Sequence, residues 1–334
     1  MLRFVSRLLL LLLTLAVLVL LVGPFLVDPT PAAGATNPRA VAPEESRFIE
    51  IPFDGTDGVE LHYLERTGPG QAMGPVFVLL HGFTFNAFTW SRLLDALADH
   101  GRVLAYDQIP YGLSAKPLQG VWNGPNPYSK QSAREQLFAF LDRMGIERAV
   151  LVGNSSGGTL ALEAALAAPD RIEGLILLAP WVHSKRPLLP DWLVDLPQMD
   201  RVTLLLARYL GGDSPLLDLS YADPTRIDDE RRQLTGIHRR IANWDVAWAE
   251  LLRRSLTDPV EVAAQLDRVT QPALVLSGAL DGIVPVADTQ ATAEALPNAT
   301  LVILPDCGHL AQEECPEAVA PAVSDWLKAV PPDR

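Results

Sequence analysis

The 334-residue chain has only two cysteines, Cys307 and Cys315, and they flank a single histidine, His309. No second Cys/His cluster exists to complete four ligands, which excludes a structural zinc site. Basic residues are scarce too: Lys plus Arg number 27 against 40 for Asp plus Glu, a formal charge of −13. Holding phosphate backbones by counterion release needs the opposite balance, so nucleic acid is excluded as a partner. No glycine-rich GxxxxGKS or GxGxxG loop follows a strand-like run, which removes nucleotide and dinucleotide cofactors. What is plentiful is apolar surface. Hydrophobic residues make up 49% of the chain and charged residues 20%, enough for one large domain with an insertion or two modest ones. Chemistry without a metal or cofactor, hydrolysis foremost, is what these absences leave.

Leu8 to Val27 is an uncharged run preceded by Arg3 and Arg7 and followed by Asp28. A helix of that length spans about 30 Å, the thickness of a bilayer core. Two readings are open. One is an anchor that stays in the membrane; the other is a secretory signal whose densest apolar stretch is Leu8 to Val22, with Ala33-Gly34-Ala35 as the cleavage site. The distance from Val27 to Ala35 favours the anchor over residues 1–27, and the early basic residues place the rest of the chain outside the cytoplasm in either case. Residues 28–46, rich in Pro, Ala, Gly and Thr, read as a linker that holds a soluble domain off the membrane.

From there strands alternate with helices. Arg47 to Phe53 and Val59 to Arg66 flank Asp54-Gly55-Thr56-Asp57-Gly58, a hairpin turn by composition. Short apolar runs follow: Val76 to Leu80, Val103 to Tyr106, Ala149 to Val152, Leu175 to Leu178, Ala273 to Leu276 and Leu301 to Leu304. Their spacing by helical segments, such as Ser132 to Met144 and Ser156 to Ala168, is that of a mostly parallel sheet covered by helices. One connection is too long for a simple crossover. From Trp181 to Val269 an insertion carries helical stretches at Asp191 to Leu210 and Asp228 to Leu256, with Ile241, Trp244 and Trp248 on one face, and four of the seven tryptophans. It reads as a helical cap (181–269) on a core of residues 47–180 and 270–330. Trp181 and Trp244 are candidates for the substrate pocket beneath it.

The chemistry gathers at strand ends. Gly153-Asn154-Ser155-Ser156-Gly157 is a G-x-S-x-G turn between a strand and an Ala/Leu-rich helix. Ser155 sits on the turn, and the glycines leave space where strand and helix cross. A serine hydroxyl needs a base, and of six histidines His309, after the last strand, shares a sheet edge with Ser155. The imidazole needs a carboxylate; Asp281, just past a strand, fills that place, ahead of the competitors Asp306 and Asp107. The backbone amides of Ser156, at the helix N-terminus, and Phe83, in the loop after Leu80, are the candidate oxyanion donors.

The ordered set His81-Gly82-Phe83, Asp107 to Ser114, Gly153 to Gly158, Asp281 to Pro285 and Gly308-His309 resembles the α/β-hydrolase superfamily over residues 47 to 330. The resemblance implies an eight-stranded, mostly parallel sheet with a cap after strand 6, and a Ser155/Asp281/His309 triad with Phe83 and Ser156 as oxyanion donors. The layout is similar to the capped esterase and C–C hydrolase branch. Relatives often carry D-x-P-G-x-G-x-S where this chain reads Asp107-Gln108-Ile109-Pro110-Tyr111-Gly112-Leu113-Ser114. Asp at the nucleophile position would mark epoxide hydrolases and haloalkane dehalogenases; here it is Ser155. The expectation is a membrane-anchored, extracytoplasmic serine esterase acting on a small hydrophobic ester. The alternatives are hydrolysis of a C–C bond in a vinylogous diketone, and a ligand-binding protein without turnover. Cys307 and Cys315 are placed to form a disulfide outside the cytoplasm or to remain free thiols.

Overall fold

A computed structural model describes residues 2–68, 74–183, 188–212 and 215–330. Eight strands form one sheet: β1 (Arg47–Ile51), β2 (Val59–Arg66), β3 (Val76–Leu80), β4 (Arg102–Tyr106), β5 (Ala149–Asn154), β6 (Ile172–Leu178), β7 (Ala273–Gly278) and β8 (Ala299–Leu304). Their order is β1-β2-β4-β3-β5-β6-β7-β8. β2 runs antiparallel to β1 and β4, and every later pairing is parallel. The eight apolar runs of the sequence are these strands.

Alternation along each strand divides the core into two layers. Val78, Leu80, Leu151 and Val275 face the helices Lys130–Arg143 and Ser156–Ala167, whereas Phe77, Leu79, Val150, Val152, Leu274 and Leu276 face Trp90, Val319 and Trp326. The Lys130–Arg143 helix starts where Ser129 accepts from the Ser132 amide, and it ends before Gly145 at φ 67°.

The insertion between β6 and β7 is helical but more broken than its periodicity implies. Asp191–Val194 and Pro197–Gly211 are separate helices, with Pro197 starting the second. The second stretch divides into Asp229–Thr235, a short turn at Ile237–Arg240, and Trp244–Ser255. Asn243 takes φ 64°, a left-handed residue that no continuous helix contains. Ile241 therefore lies before the helix and packs with the core, whereas Trp244 and Trp248 pack together. The segment Val262–Arg268 sends Val262 and Leu266 into the core layer of the Ser156–Ala167 helix.

Residues 28–46 are not a free spacer. The long apolar helix ends at Val22, ahead of a short turn at Gly23–Leu26 that contains Pro24. The chain then lies along the insertion. Ala35 N donates to Arg240 O at 2.8 Å, Ala242 N to Ala35 O at 3.0 Å and Asn243 N to Ala32 O at 3.0 Å, a short parallel bridge. Arg208 donates to the carbonyls of Asp28 and Thr30 and pairs with the buried Asp245 at 2.8 Å, and Asp245 also accepts from Ala32 N. Proline and small residues read as flexible in isolation; here the backbone groups of an extended segment find partners on the cap.

Candidate active site

Ser155 follows β5 and precedes the Ser156–Ala167 helix, with φ 54° and ψ −120°. That conformation is costly for a residue with a side chain, and the surroundings hold it. A Cβ on Gly153 would lie 2.5 Å from Gly157 O, and one on Gly157 would lie 2.1 Å from Leu80 O. Strand and helix thus cross at a distance only glycine permits, which is the physical content of the motif. Ser155 itself is 4% exposed.

His309 lies in the loop after β8. Its Nδ1 stands 2.8 Å from Asp281 Oδ2, while Asp281 Oδ1 accepts from the amides of Ile283 and Val284, both at 2.8 Å. An imidazole that gives its Nδ1 proton to a carboxylate keeps Nε2 as the free base. Asn154, the residue before Ser155, donates through Nδ2 to His309 O at 3.1 Å and so ties the serine turn to the histidine loop. Asp281 and His309 are brought together as the sequence implied. Asp107 belongs to a different group: it pairs with His62 and accepts from the amides of Ala87 and Leu113.

The second donor loop is held by His81. Its Nδ1 donates to Gly82 O at 2.8 Å and its Nε2 accepts from Gln108 N at 3.0 Å. Burial pushes the His81 pKa down, against the pull of Asp107, which suits a neutral ring with one donor and one acceptor. A Cβ on Gly82 would come within 3.1 Å of Ser155 Cβ, so this loop presses against the serine turn. Phe83, Ser156 and Trp181 line one cavity of about 340 Å³ with Ile109, Tyr111 and Leu160. Trp181 N also donates to Ser155 O at 3.0 Å.

Trp244 is a correction. It is buried against His238 and Trp248, with ring centroids 5.0 and 5.7 Å away, and it does not border this cavity. The left-handed residue at Asn243 turns its helix so that Trp244 joins the cap interior. Leu251 and Leu252 of the same helix reach the cavity instead.

Two groups escaped the motif reading. Glu314 accepts from Gly308 N at 2.7 Å and from the amides of Ala222 and Asp223 at 3.0 and 2.8 Å, fastening the His309 loop to the cap. Glu313, 1% exposed, accepts from Tyr221 at 2.6 Å and pairs with Arg231. Two adjacent glutamates after a glycine–histidine pair look like a solvated turn, and only the folded cap reveals the buried partners. Cys307 and Cys315 form a disulfide around the same loop.

A family model described as the alpha/beta hydrolase fold matches residues 75–316. The uncharacterized hydrolase YugF of Bacillus subtilis is 28% identical over 276 residues, covering 81% of this chain and 96% of that protein. A 2-hydroxy-6-oxononadienedioate/2-hydroxy-6-oxononatrienedioate hydrolase of Burkholderia vietnamiensis is 32% identical over 295 residues, covering 85% and 96%. Among solved structures, a thermophilic esterase from Thermogutta terrifontis is similar with a TM-score of 0.64 at 25% identity, covering 85% of this chain and 98% of that one.

Proposed function

The chain belongs to the α/β-hydrolase superfamily and is a hydrolase, and on that premise we propose that it cleaves carboxylic esters through an acyl-enzyme. The observation that carries the reading is the His309 Nδ1–Asp281 contact at 2.8 Å, on the sheet edge where Ser155 stands strained beside Ser156, which lines an apolar cavity. Ser155 Oγ attacks the ester carbon while His309 Nε2 takes its proton. The amides of Phe83 and Ser156 receive the developing oxyanion; the latter belongs to the first turn of a helix, where N–H groups have no intrahelical acceptor. His309 returns the proton to the leaving alkoxide. Water then repeats the sequence on the acyl-enzyme and frees the acid.

The test is hydrolysis of p-nitrophenyl esters of rising acyl length by the full chain beside Ser155→Ala. Turnover lost in the variant supports the reading; intact esters with folded protein overturn it. A second reading, C–C hydrolysis, has in its favour the 32% identity to the Burkholderia enzyme. Turnover of a ring-cleavage product with no turnover of esters would put it first. A ligand-binding protein without turnover would leave Ser155 inert toward an organophosphonate probe.

The apolar N-terminal helix is proposed as a retained anchor, with the catalytic domain outside the cytoplasm. Its support is the docking of residues 28–35 on the cap, since cleavage after Ala35 would strip Arg208 and Asp245 of backbone partners. The intact mass of protein from the membrane fraction decides between the full chain and one starting at Thr36.

A further inference from the structure

The cavity beside Ser155 follows one face of a helix. Ser156, Thr159, Leu160 and Glu163 line it at i, i+3, i+4 and i+7, so it extends about 10 Å along the Ser156–Ala167 helix, away from the nucleophile. Near Ser155 the wall is apolar; at the far end it is charged. There Lys130, Glu163 and Asp258 border the cavity, and the same three side chains border a second, outer cavity of about 370 Å³. The partition between the two is one network. Lys130 Nζ pairs with Glu163 and donates to Pro259 O at 2.8 Å, Lys130 N donates to Asp258 Oδ2 at 3.0 Å, and Asp258 Oδ1 receives Arg254 at 2.7 Å. It joins the first residue of one core helix, the third turn of another and the segment where the cap returns to the core.

We propose that the Lys130–Glu163 pair, braced by Asp258, is a plug that sets the longest apolar group the pocket accepts, and that removing it joins the two cavities. The inference deepens the esterase reading and rests on it for its kinetic form. Inside the pocket each added methylene leaves water for an apolar wall. A methylene pressed against the plug instead displaces charged groups from their partners, which is unfavourable. Preference therefore climbs with chain length and then breaks.

The experiment uses the full chain in lipid nanodiscs and p-nitrophenyl esters from acetate to palmitate. In the wild type kcat/KM rises by up to about fourfold per methylene to a maximum and then falls. In Lys130→Ala/Glu163→Ala the maximum moves to a longer ester and the palmitate-to-butyrate ratio of kcat/KM rises at least about tenfold, a change in specificity that loss of stability alone does not give. The charge-reversed pair Lys130→Glu/Glu163→Lys refills the partition and returns the maximum toward the wild-type length; if the alanine pair does not fold, the single variant Glu163→Ala serves in its place and should likewise move the maximum to a longer ester. A maximum at the same length in all three proteins overturns the proposal. If the wild type leaves every ester intact, the esterase reading fails by itself. Calorimetric binding of n-alkanoates from butyrate to decanoate to Ser155→Ala, with and without the plug, then reads the same ceiling: a shift supports the plug, and identical profiles overturn it.

Discussion

Among the described residues, two histidine–aspartate pairs share nearly identical local geometry in different surroundings. His309 Nδ1 meets Asp281 at 2.8 Å, and His62 Nδ1 meets Asp107 at 2.7 Å. His62 even has a serine on its other nitrogen, Ser46 Oγ at 2.9 Å. What separates them is everything beyond the pair. Ser46 precedes β1 on an ordinary turn, whereas Ser155 is strained at a strand-to-helix crossing. His62 is fully buried between Phe48 and Phe88, away from the lining of the cavity that Phe83 and Ser156 share. The two oxygens of Asp107 are used by His62 and by the amides of Ala87 and Leu113, which pin the β4 loop to its neighbours. Ser46, His62 and Asp107 in line are thus a structural clamp, whereas the His309–Asp281 pair belongs with Ser155 to the proposed catalytic centre. The nucleophile's backbone, the donor amides and a cavity make the difference.

Substitutions sharpen that contrast. Ser155→Ala is expected to lower kcat by about 10⁴-fold or more with little change in Tm, because the other parts act only through the nucleophile. Ser46→Ala should leave kcat nearly intact and lower stability by about 1 kcal/mol, the net value of one hydrogen bond. Steady-state ester hydrolysis and thermal melts on both variants read the difference. Equal kinetic losses would erase the distinction between the two pairs.

The aspartates extend the test. Asp281→Asn should cost about 10⁴-fold in kcat by forcing the wrong imidazole tautomer. Asp107→Asn should act on stability. Burial pushes the Asp107 carboxyl up, but His62 beside it and the Ala87 amide outweigh that and hold it down to about 2. A depressed folded value contributes stability that is fully present above the ordinary carboxylate range and is lost as pH falls from about 4 through about 2, a contribution of about 2 kcal/mol. Denaturant unfolding between neutral pH and pH 2 should show this loss in the wild type, and a smaller slope in Asp107→Asn. A wild-type curve that is flat over that window would contradict the clamp.

How early these parts could be read follows the range of their contacts. The strands, the Ser155 turn and the Asp281 and His309 loops depend on local patterns: apolar runs, glycine spacing and strand ends. Asp107 was legible as a loop carboxylate but not as the partner of His62, which lies on another strand. The docking of residues 28–35, the inward turn of Trp244 and the use of Glu314 all depend on where the cap comes to rest. None of these has a short-range signature, since each partner lies far along the chain.

The last contrast concerns what fixes each histidine. His62 sits on a strand paired on both sides, whereas His309 sits on a loop held by Glu314, Asn154 and the Cys307–Cys315 bridge. Loop anchorage should therefore appear as graded losses rather than collapse. Glu314→Gln keeps the shape and weakens the charge-assisted bond to Gly308 N; kcat should fall about tenfold, the order expected for one bond of that kind. Cys307→Ser/Cys315→Ser removes a cross-link closing a short loop, which costs about 2–3 kcal/mol in the chain-entropy account. Its kinetic effect should be the smaller of the two, because Glu314 still holds Gly308 to the cap segment at Ala222 and Asp223. Melting curves and ester turnover with and without reductant, on wild type and both variants, measure the order. A reduced wild type that loses turnover before it loses Tm would instead make the disulfide the principal anchor of His309.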